Sequence, residues 1–428
     1  MGRYGEEAVY TAFALAAPAL GVYPWAAAVL GQENLGFASM ASADVGENDA
    51  VAAVQAAMQR GDRAGALRLV LEAERAAPGD MALKMQRAMI CRAMGNLEGA
   101  IAALDDALSI DPYDYVARLS KAALIERMDG ERAAATPYRN ALAIAPPEAD
   151  LPPPLRAPTA RARDVVARTE QALEAHLLAR TGAVQAEISG EARRRFDESV
   201  GILAGRNKVY LQEPLLLHYP RLPAIPFYDR AMFPWFAELE AATETIRGEL
   251  EVALDAAKAD FAPYIAYPKG APVNQWGELN HSQKWSSFFL WKDGQRHEAA
   301  CTLCPKTAAL LETLPLSDLP GYAPTAMFSA LDAHTRIPAH TGSTNVRLLC
   351  HLPLILPGPA RFRVGNETRE WKMGEAWVFD DTIEHEAWND ADQLRVILIL
   401  DIWNPYLDLG ERALVKALLS ARQEFFAG

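Results

Sequence analysis

Three side chains late in the chain have the types and the order that metal-dependent oxidation requires. His340, in P-A-H-T-G-S-T-N-V-R, and His385, in F-D-D-T-I-E-H-E-A-W, each fall where a strand-like run meets a turn. A sheet that fixes both backbones lets two imidazoles project into one open end, and neutral imidazole is a common metal ligand. Arg395 follows ten residues after His385, in L-R-V-I-L-I-L-D-I-W, a run apolar on both faces apart from Arg395 and Asp401. A guanidinium buried in such a strand is costly unless paired. Arg395 therefore either joins a structural ion pair, with Asp401 or Glu375, or waits for an anionic ligand. One histidine alone is more often a hydrogen-bonded core residue than a ligand, but the order His…His…Arg has a chemical meaning. A non-haem Fe(II) site needs a facial ligand set with open positions, and 2-oxoglutarate as co-substrate needs a basic residue for its distal carboxylate.

The elements that must position these residues lie beyond residue 270. Short runs rich in β-branched and aromatic residues, bounded by Gly, Pro and Asn, cover 286–291, 325–331, 345–356, 361–364, 376–379 and 394–403. Several short strands at close spacing predict a β-sandwich or jelly roll. Four of the eight histidines, His334, His340, His351 and His385, fall in this strand-rich region. Helical periodicity over 160–204 and 229–258 predicts helices flanking it.

Residues from about 205 to 410 resemble the catalytic domain of the aspartyl/asparaginyl β-hydroxylase family, a branch of the 2-oxoglutarate/Fe(II) dioxygenases with a double-stranded β-helix fold. The resemblance is carried by P-F-Y-D-R (226–230), H-T-G-S-T-N-V-R-L-L-C-H-L-P-L (340–354), G-E-A-W-V-F-D-D-T-I-E-H-E-A-W-N (374–389) and L-R-V-I-L-I-L-D-I-W-N-P (394–405). It implies that His340 and His385 bind Fe(II), with O2 and 2-oxoglutarate as co-substrates. It further implies that Arg395 and Ser329 hold the distal carboxylate of 2-oxoglutarate, that His351 meets its iron-side carboxylate, and that Trp285 belongs to the cofactor pocket. His340, His385 and Arg395 would be the catalytic set. The wider superfamily has H-x-D at the first ligand; here the run is His340-Thr341-Gly342, and this family lacks that acid. Asp381 and Glu384 are the nearest carboxylates in sequence and read as strand-end residues around the site, Asp381 being the alternative third ligand. Arg347 matches the first arginine of the family's N-x-R-x-R-x-H and would bind substrate, whereas Leu349 replaces the second. That loss removes one anion contact and bears on both the cofactor grip and the choice of an aspartyl side chain as substrate. The implied reaction is hydroxylation of a substrate carbon, the β-carbon of an aspartyl or asparaginyl residue in a peptide or protein. The alternatives are a lipid or free amino acid, or a silent β-barrel that works with the helical region as an interaction module.

Ahead of this domain, Pro78, Pro112 and Pro146 stand 34 residues apart, and the same shift maps Gly61 onto Gly95, Gly65 onto Gly99, and Ala66 onto Ala100 and Ala134. This period resembles the tetratricopeptide repeat, with two clear copies and a degenerate third. The expected organisation is α+β and multidomain: an extension over 1–45, helical repeats over 46–150 as a docking platform for a protein partner, a Pro-rich linker and helix over 151–204, and the oxygenase domain over 205–428. The Pro-rich stretch 146–154 reads as a stiff spacer.

Composition sets outer limits. With 42 Lys+Arg against 55 Asp+Glu the net charge is −13, a poor match for nucleic acid. Four scattered cysteines fit a reducing compartment, and Cys301-x-x-Cys304 lacks the second pair of a tetrahedral zinc site. From Ala8 to Gln32 no side chain is charged, long enough to span a bilayer, but Pro18, Gly21 and Pro24 interrupt it and Glu6 and Glu7 precede it. The reading is a cytoplasmic protein with an N-terminal extension, or with Met40 as its working start; a membrane anchor through 8–32 is the alternative.

Overall fold

The computed structural model describes residues 45–257 and 260–427, so the 8–32 stretch lies outside the described residues. Two compact units divide between Arg206 and Asn207.

The first unit is helical. Helices Val45–Gln59 and Arg63–Ala76, Met81–Ala93 and Leu97–Ile110, and Tyr115–Asp129 and Glu131–Leu142 form three successive hairpins. The repeated small residues are where close packing needs them: Ala66, Ala100, Ala107, Ala134 and Ala141 are fully buried. The periodic glycines have a local cause. The caps Asp62 and Asn96 fold over the next turn to accept from Gly65 N and Gly99 N, and a Cβ on either glycine would collide with the capping side chain. In the third hairpin Gly130 stands at the cap with no side-chain bond, which is the physical content of its degeneracy.

The Pro-rich stretch is not a spacer. A 33-residue helix, Pro153–Gln185, begins inside it, with proline in its first turn, where a missing N–H costs nothing. Leu151, Leu155, Ala162 and Val165 pack into one core with Leu119, Tyr138 and Ala141, and the Tyr115 hydroxyl meets Thr159 Oγ1 at 2.6 Å. A further helix, Gly190–Ala204, ends the unit.

The second unit is built on two antiparallel sheets. Strands are β1 (Ala262–Pro263), β2 (Trp285–Lys292), β3 (Gln295–Arg296), β4 (Ala326–Leu331), β5 (Thr335–His340), β6 (Arg347–Ile355), β7 (Ala360–Val364), β8 (Glu367–Glu370), β9 (Trp377–Phe379), β10 (His385–Asn389) and β11 (Arg395–Trp403). The larger sheet runs β1-β2-β4-β11-β6-β9, with β3 on β2; the smaller runs β5-β10-β7-β8. Side chains alternate across a strand, and on the larger sheet the even-numbered set, among them Phe288, Phe328, Leu352, Leu398 and Leu400, packs with Ile246, Leu250 and Leu311 of helices Thr243–Ala256 and Pro305–Thr313. The odd-numbered set, Met327, Leu331, Ile397 and Ile399 with Trp377 and Phe379 of β9, faces the smaller sheet and packs with Phe362 of β7. Covered on both faces, β11 is buried throughout, which is why it reads as one apolar run.

Candidate active site

A cavity of about 240 Å³ opens between the two sheets of the second unit. It is lined from the larger sheet by odd-numbered residues: Met327 and Ser329 of β4, Arg347, Leu349 and His351 of β6, and Arg395, Ile397, Ile399 and Asp401 of β11. His340 and His385 enter from the smaller sheet, together with Asp381 from the turn before β10.

His340 ends β5, His385 begins β10, and the two are direct cross-strand partners, with a register shift beginning at His385. Their rings lie 4.1 Å apart between centroids. The same local device orients both: Nδ1–H of His340 donates to the Pro338 carbonyl at 2.7 Å, and Nδ1–H of His385 to the Ile383 carbonyl at 3.0 Å. Fixing the proton on Nδ1 leaves each Nε2 as a lone-pair donor. Pro338 is tolerated because β5 is an edge strand. Burial, with the neighbouring His385 adding to it, pushes His340 down to about 3, and burial pushes His385 down to about 4. Both are therefore neutral at ordinary pH, the state a metal requires.

No group of three His, Cys, Asp or Glu side chains with metal-binding geometry occurs among the described residues. At Gly342, two residues after His340, a Cβ would collide with Asp381 Oδ2, whose carboxylate is held against Arg347. Glu384 is turned away, paired with Arg363 at 2.8 Å. The Cys301 and Cys304 thiols are buried away from the cavity, the latter pushed up to about 12 by burial.

Arg395 is 1% exposed, and its guanidinium carbon sits 4.5 Å above the Trp371 ring. Its Nε and Nη1 have no hydrogen-bond partner, and burial alone pulls its pKa down to about 9. Neither expected ion pair forms: Asp401 faces Arg347, and Glu375 pairs with Lys372. Beside it the Trp285 indole N–H donates to Ser329 Oγ at 3.1 Å, leaving the hydroxyl proton of Ser329 to donate elsewhere. His351 is buried with Nδ1 unpartnered, and its pKa is pushed down by burial and by the Arg395 charge. A buried cation, a hydroxyl and an imidazole, each with unused hydrogen-bonding capacity, suit a small dianion such as 2-oxoglutarate. The two-histidine donor pair lies in the same cavity, so the residues fit iron and co-substrate together.

Arg347 has the opposite surroundings. Its Nη1 lies 3.1 Å from Asp381 Oδ2 and 3.3 Å from Asp401 Oδ1, and Nη2 donates to Ser343 Oγ at 3.3 Å. All the expected site residues thus line one cavity. His334 does not: it is exposed and contacts Asp392. Asp401, Trp371, Trp276 and Tyr264 also line the cavity. Two-residue periodicity along β11 from Arg395 points to Asp401; nothing in the sequence marks Trp371, which reaches Arg395 from the loop after β8.

Residues 240–405 match the family described as aspartyl/asparaginyl beta-hydroxylase. The second unit belongs to that family. An ornithine lipid ester-linked acyl 2-hydroxylase of Rhizobium tropici is 36% identical over 196 residues, 45% of this chain and 66% of that protein. The aspartyl/asparaginyl beta-hydroxylase of Mus musculus is 37% identical over 182 residues, 42% of this chain and 23% of that protein. Aspartate beta-hydroxylase domain-containing protein 2 of Xenopus tropicalis is 30% identical over 218 residues, half of this chain and 56% of that protein. The chain thus spans less than two thirds of each of these relatives' lengths. Among solved structures, a tetratricopeptide domain of Spaghetti (RPAP3) bound to an HSP90 peptide covers 28% of this chain at 14% identity, with a TM-score of 0.24. Among the described residues no helix is long and apolar enough to cross a membrane.

Proposed function

We propose that the second unit is a 2-oxoglutarate- and Fe(II)-dependent hydroxylase with a double-stranded β-helix, or jelly-roll, fold, and that the helical hairpins before it are tetratricopeptide-like repeats offering a docking surface for a protein partner. The observation that carries this reading is Arg395. A guanidinium buried without an anion is expensive, and a silent β-barrel has no reason to keep one, whereas a site awaiting a carboxylate does.

His340 and His385 would hold Fe(II) through Nε2, with Asp381, beside them in the cavity and paired with Arg347, the alternative third ligand. Arg395 and Ser329 would hold the distal carboxylate of 2-oxoglutarate, with Trp285 fixing the Ser329 hydroxyl. His351 would meet the iron-side carboxylate. Bound Fe(II), 2-oxoglutarate and O2 supply the oxidising chemistry, and the protein supplies position and exclusion of water. Around the histidines the exclusion falls to Trp276, whose ring lies 5.0 Å from His340, and to Phe362 and Phe379, 5.8 and 5.4 Å from His385.

The mouse relative's name points to aspartyl and asparaginyl residues and the Rhizobium relative's to an acyl chain, so hydroxylation of a substrate carbon is the shared reaction. Four free, buried cysteines favour a reducing, cytoplasmic setting. Anaerobic titration with Fe(II) and 2-oxoglutarate tests the reading. A metal-to-ligand absorption band that saturates with both is expected, and a protein that binds neither overturns it.

A further inference from the structure

The last helix, Leu409–Ala427, has two apolar faces, and the protein covers only one of them. Val415 and Leu419 are buried in a cluster with Leu319, Trp403 and Leu407. Arg412 lies over Trp403, Arg422 donates to the Tyr322 hydroxyl and Lys416 pairs with Asp318, so charged side chains seal the margins of that face. At 3.6 residues per turn the far side of the helix carries Leu414, Ala417, Leu418, Ala421 and Phe425. All five are exposed, the three large ones at 69% for Leu414, 54% for Leu418 and 79% for Phe425. No charged side chain interrupts the stripe.

The spacing names the occupant. From Leu414 the stripe steps by four residues to Leu418, by three to Ala421 and by four to Phe425, which is the a/d repeat of a coiled-coil seam. A seam needs a second helix, and this one is complementary to itself. Laid antiparallel about a two-fold axis between Leu419 and Ser420, Leu414 faces the copy's Phe425 and Leu418 faces the copy's Ala421, because each pair is equidistant from the axis. Large then meets small at the centre, where the helices come closest. A parallel pair would instead set Phe425 on Phe425 and Ala421 on Ala421, a bulge beside a gap. Glu424, the charge at the edge of the stripe, falls beside the copy's Ala417, so no like charges meet. The five side chains leave about 500 Å² bare, near the top of what a monomer exposes in one patch. Two copies would bury about 1,000 Å², the lower limit for a specific interface. The helix is already ordered by its other face, so pairing carries no folding cost.

We propose that the protein forms a weak, reversible two-fold dimer through antiparallel pairing of helix Leu409–Ala427 along Leu414, Leu418, Ala421 and Phe425. None of these residues lines the cavity, so the proposal is independent of the hydroxylase reading. Analytical ultracentrifugation of the full-length protein between about 1 and 100 μM, the range that brackets a weak interface, should show a monomer–dimer equilibrium. Leu414→Glu and Leu418→Glu should each raise the dissociation constant by at least about tenfold, since each places two charges in an apolar seam, while the melting temperature of the monomer stays unchanged because both positions are on the surface. Direction is read by oxidation. The four native cysteines are buried, so only introduced thiols should crosslink. The double variant Leu414→Cys/Phe425→Cys should form a covalent dimer, whereas Leu414→Cys alone should not, its thiols being about 16 Å apart across the two-fold. A monomer throughout the range, a dimer untouched by both glutamate variants, or equal crosslinking of the single and double cysteine variants would overturn the proposal. Sedimentation of a monomer with phosphatidylglycerol vesicles would also overturn it, and would give the stripe to lipid.

Discussion

Arg395 and Arg347 line one cavity, are both withdrawn from solvent, and are solvated in opposite ways. Arg347 is bracketed by two carboxylates, and its neighbours hold it protonated, well above the ordinary arginine value. Arg395 has an aromatic face beneath it, two orphaned donors, and a pKa drawn down by burial. A buried cation with its anions present is part of the architecture. One without them costs the empty protein stability that a ligand can return. Burial alone does not separate the two cases; the inventory of partners does.

The sharpest break in the comparison comes from the histidines that give the Arg395 end its meaning. His340→Ala and His385→Ala should each abolish the Fe(II)/2-oxoglutarate absorption band while the fold survives, because two protein ligands leave no reserve. Persistence of the band in either variant would remove the metal assignment. Next in size, Arg347→Ala should destabilise the protein by about 3–5 kcal/mol, since it strands two buried carboxylates; urea denaturation measures this. Arg395→Ala should act on affinity, costing on the order of 2–5 kcal/mol of 2-oxoglutarate binding, and Arg395→Lys should raise the 2-oxoglutarate requirement because it keeps the charge but loses the fork. On the ligand-free protein the sign reverses. Arg395→Met removes an uncompensated cation and should raise the melting temperature. If both arginine variants lowered stability and neither touched 2-oxoglutarate affinity, the contrast would fail.

The same contrast shows what a sequence can carry. Strands buried on both faces announce themselves as unbroken runs of β-branched and aromatic residues, and β2, β4, β6, β7, β9 and β11 lie within two residues of the runs read at 286–403. Strands β5, β8 and β10 of the smaller sheet do not stand out, because one face meets solvent. Arg336 and Glu386 pair across β5 and β10, and Arg336 and Arg361 both lie over Trp388, so charge interrupts the apolar pattern. The histidine pair of the cavity was legible by residue type and flanking turns, and Arg395 by a charge in an apolar run. Which arginine has partners was not, since Asp381 reaches Arg347 through folding that brings the turn before β10 against β6. The spacer expected at 146–154 failed for a local reason: proline stops a helix behind it but can open one ahead.

A smaller effect separates the histidines from both arginines by pH. His340, His351 and His385 are held neutral by burial, below their ordinary value near 6.5. The folded protein therefore binds fewer protons than the unfolded chain below pH 6.5, so stability falls as pH drops, by up to about 1.4 kcal/mol per pH unit for each histidine, and is level above that value. The window for His385 runs from 6.5 down to about 4. Metal-free His385→Gln should show a shallower decline of melting temperature between pH 6.5 and 5 than wild type. An identical slope would mean that His385 is protonated in the fold and unfit as a ligand.

The least effect is expected from removing the helical unit, and where the cut is made decides the outcome. All of the cavity's lining residues follow Asn207, so a chain starting at 207 should keep its 2-oxoglutarate affinity within about twofold, well under 1 kcal/mol. A chain starting at 151 is a worse variant although it is longer. It retains the helix Pro153–Gln185 but strips away Leu119, Tyr138 and Ala141, against which Leu155, Ala162 and Val165 pack, and so exposes an apolar face. Aggregation of the chain cut at 151, beside a monodisperse chain cut at 207, would locate the unit boundary by solution behaviour. Loss of 2-oxoglutarate binding in a folded chain cut at 207 would show that the helical unit contributes to the site, and the comparison between the two arginines would then have to be drawn on the full chain alone.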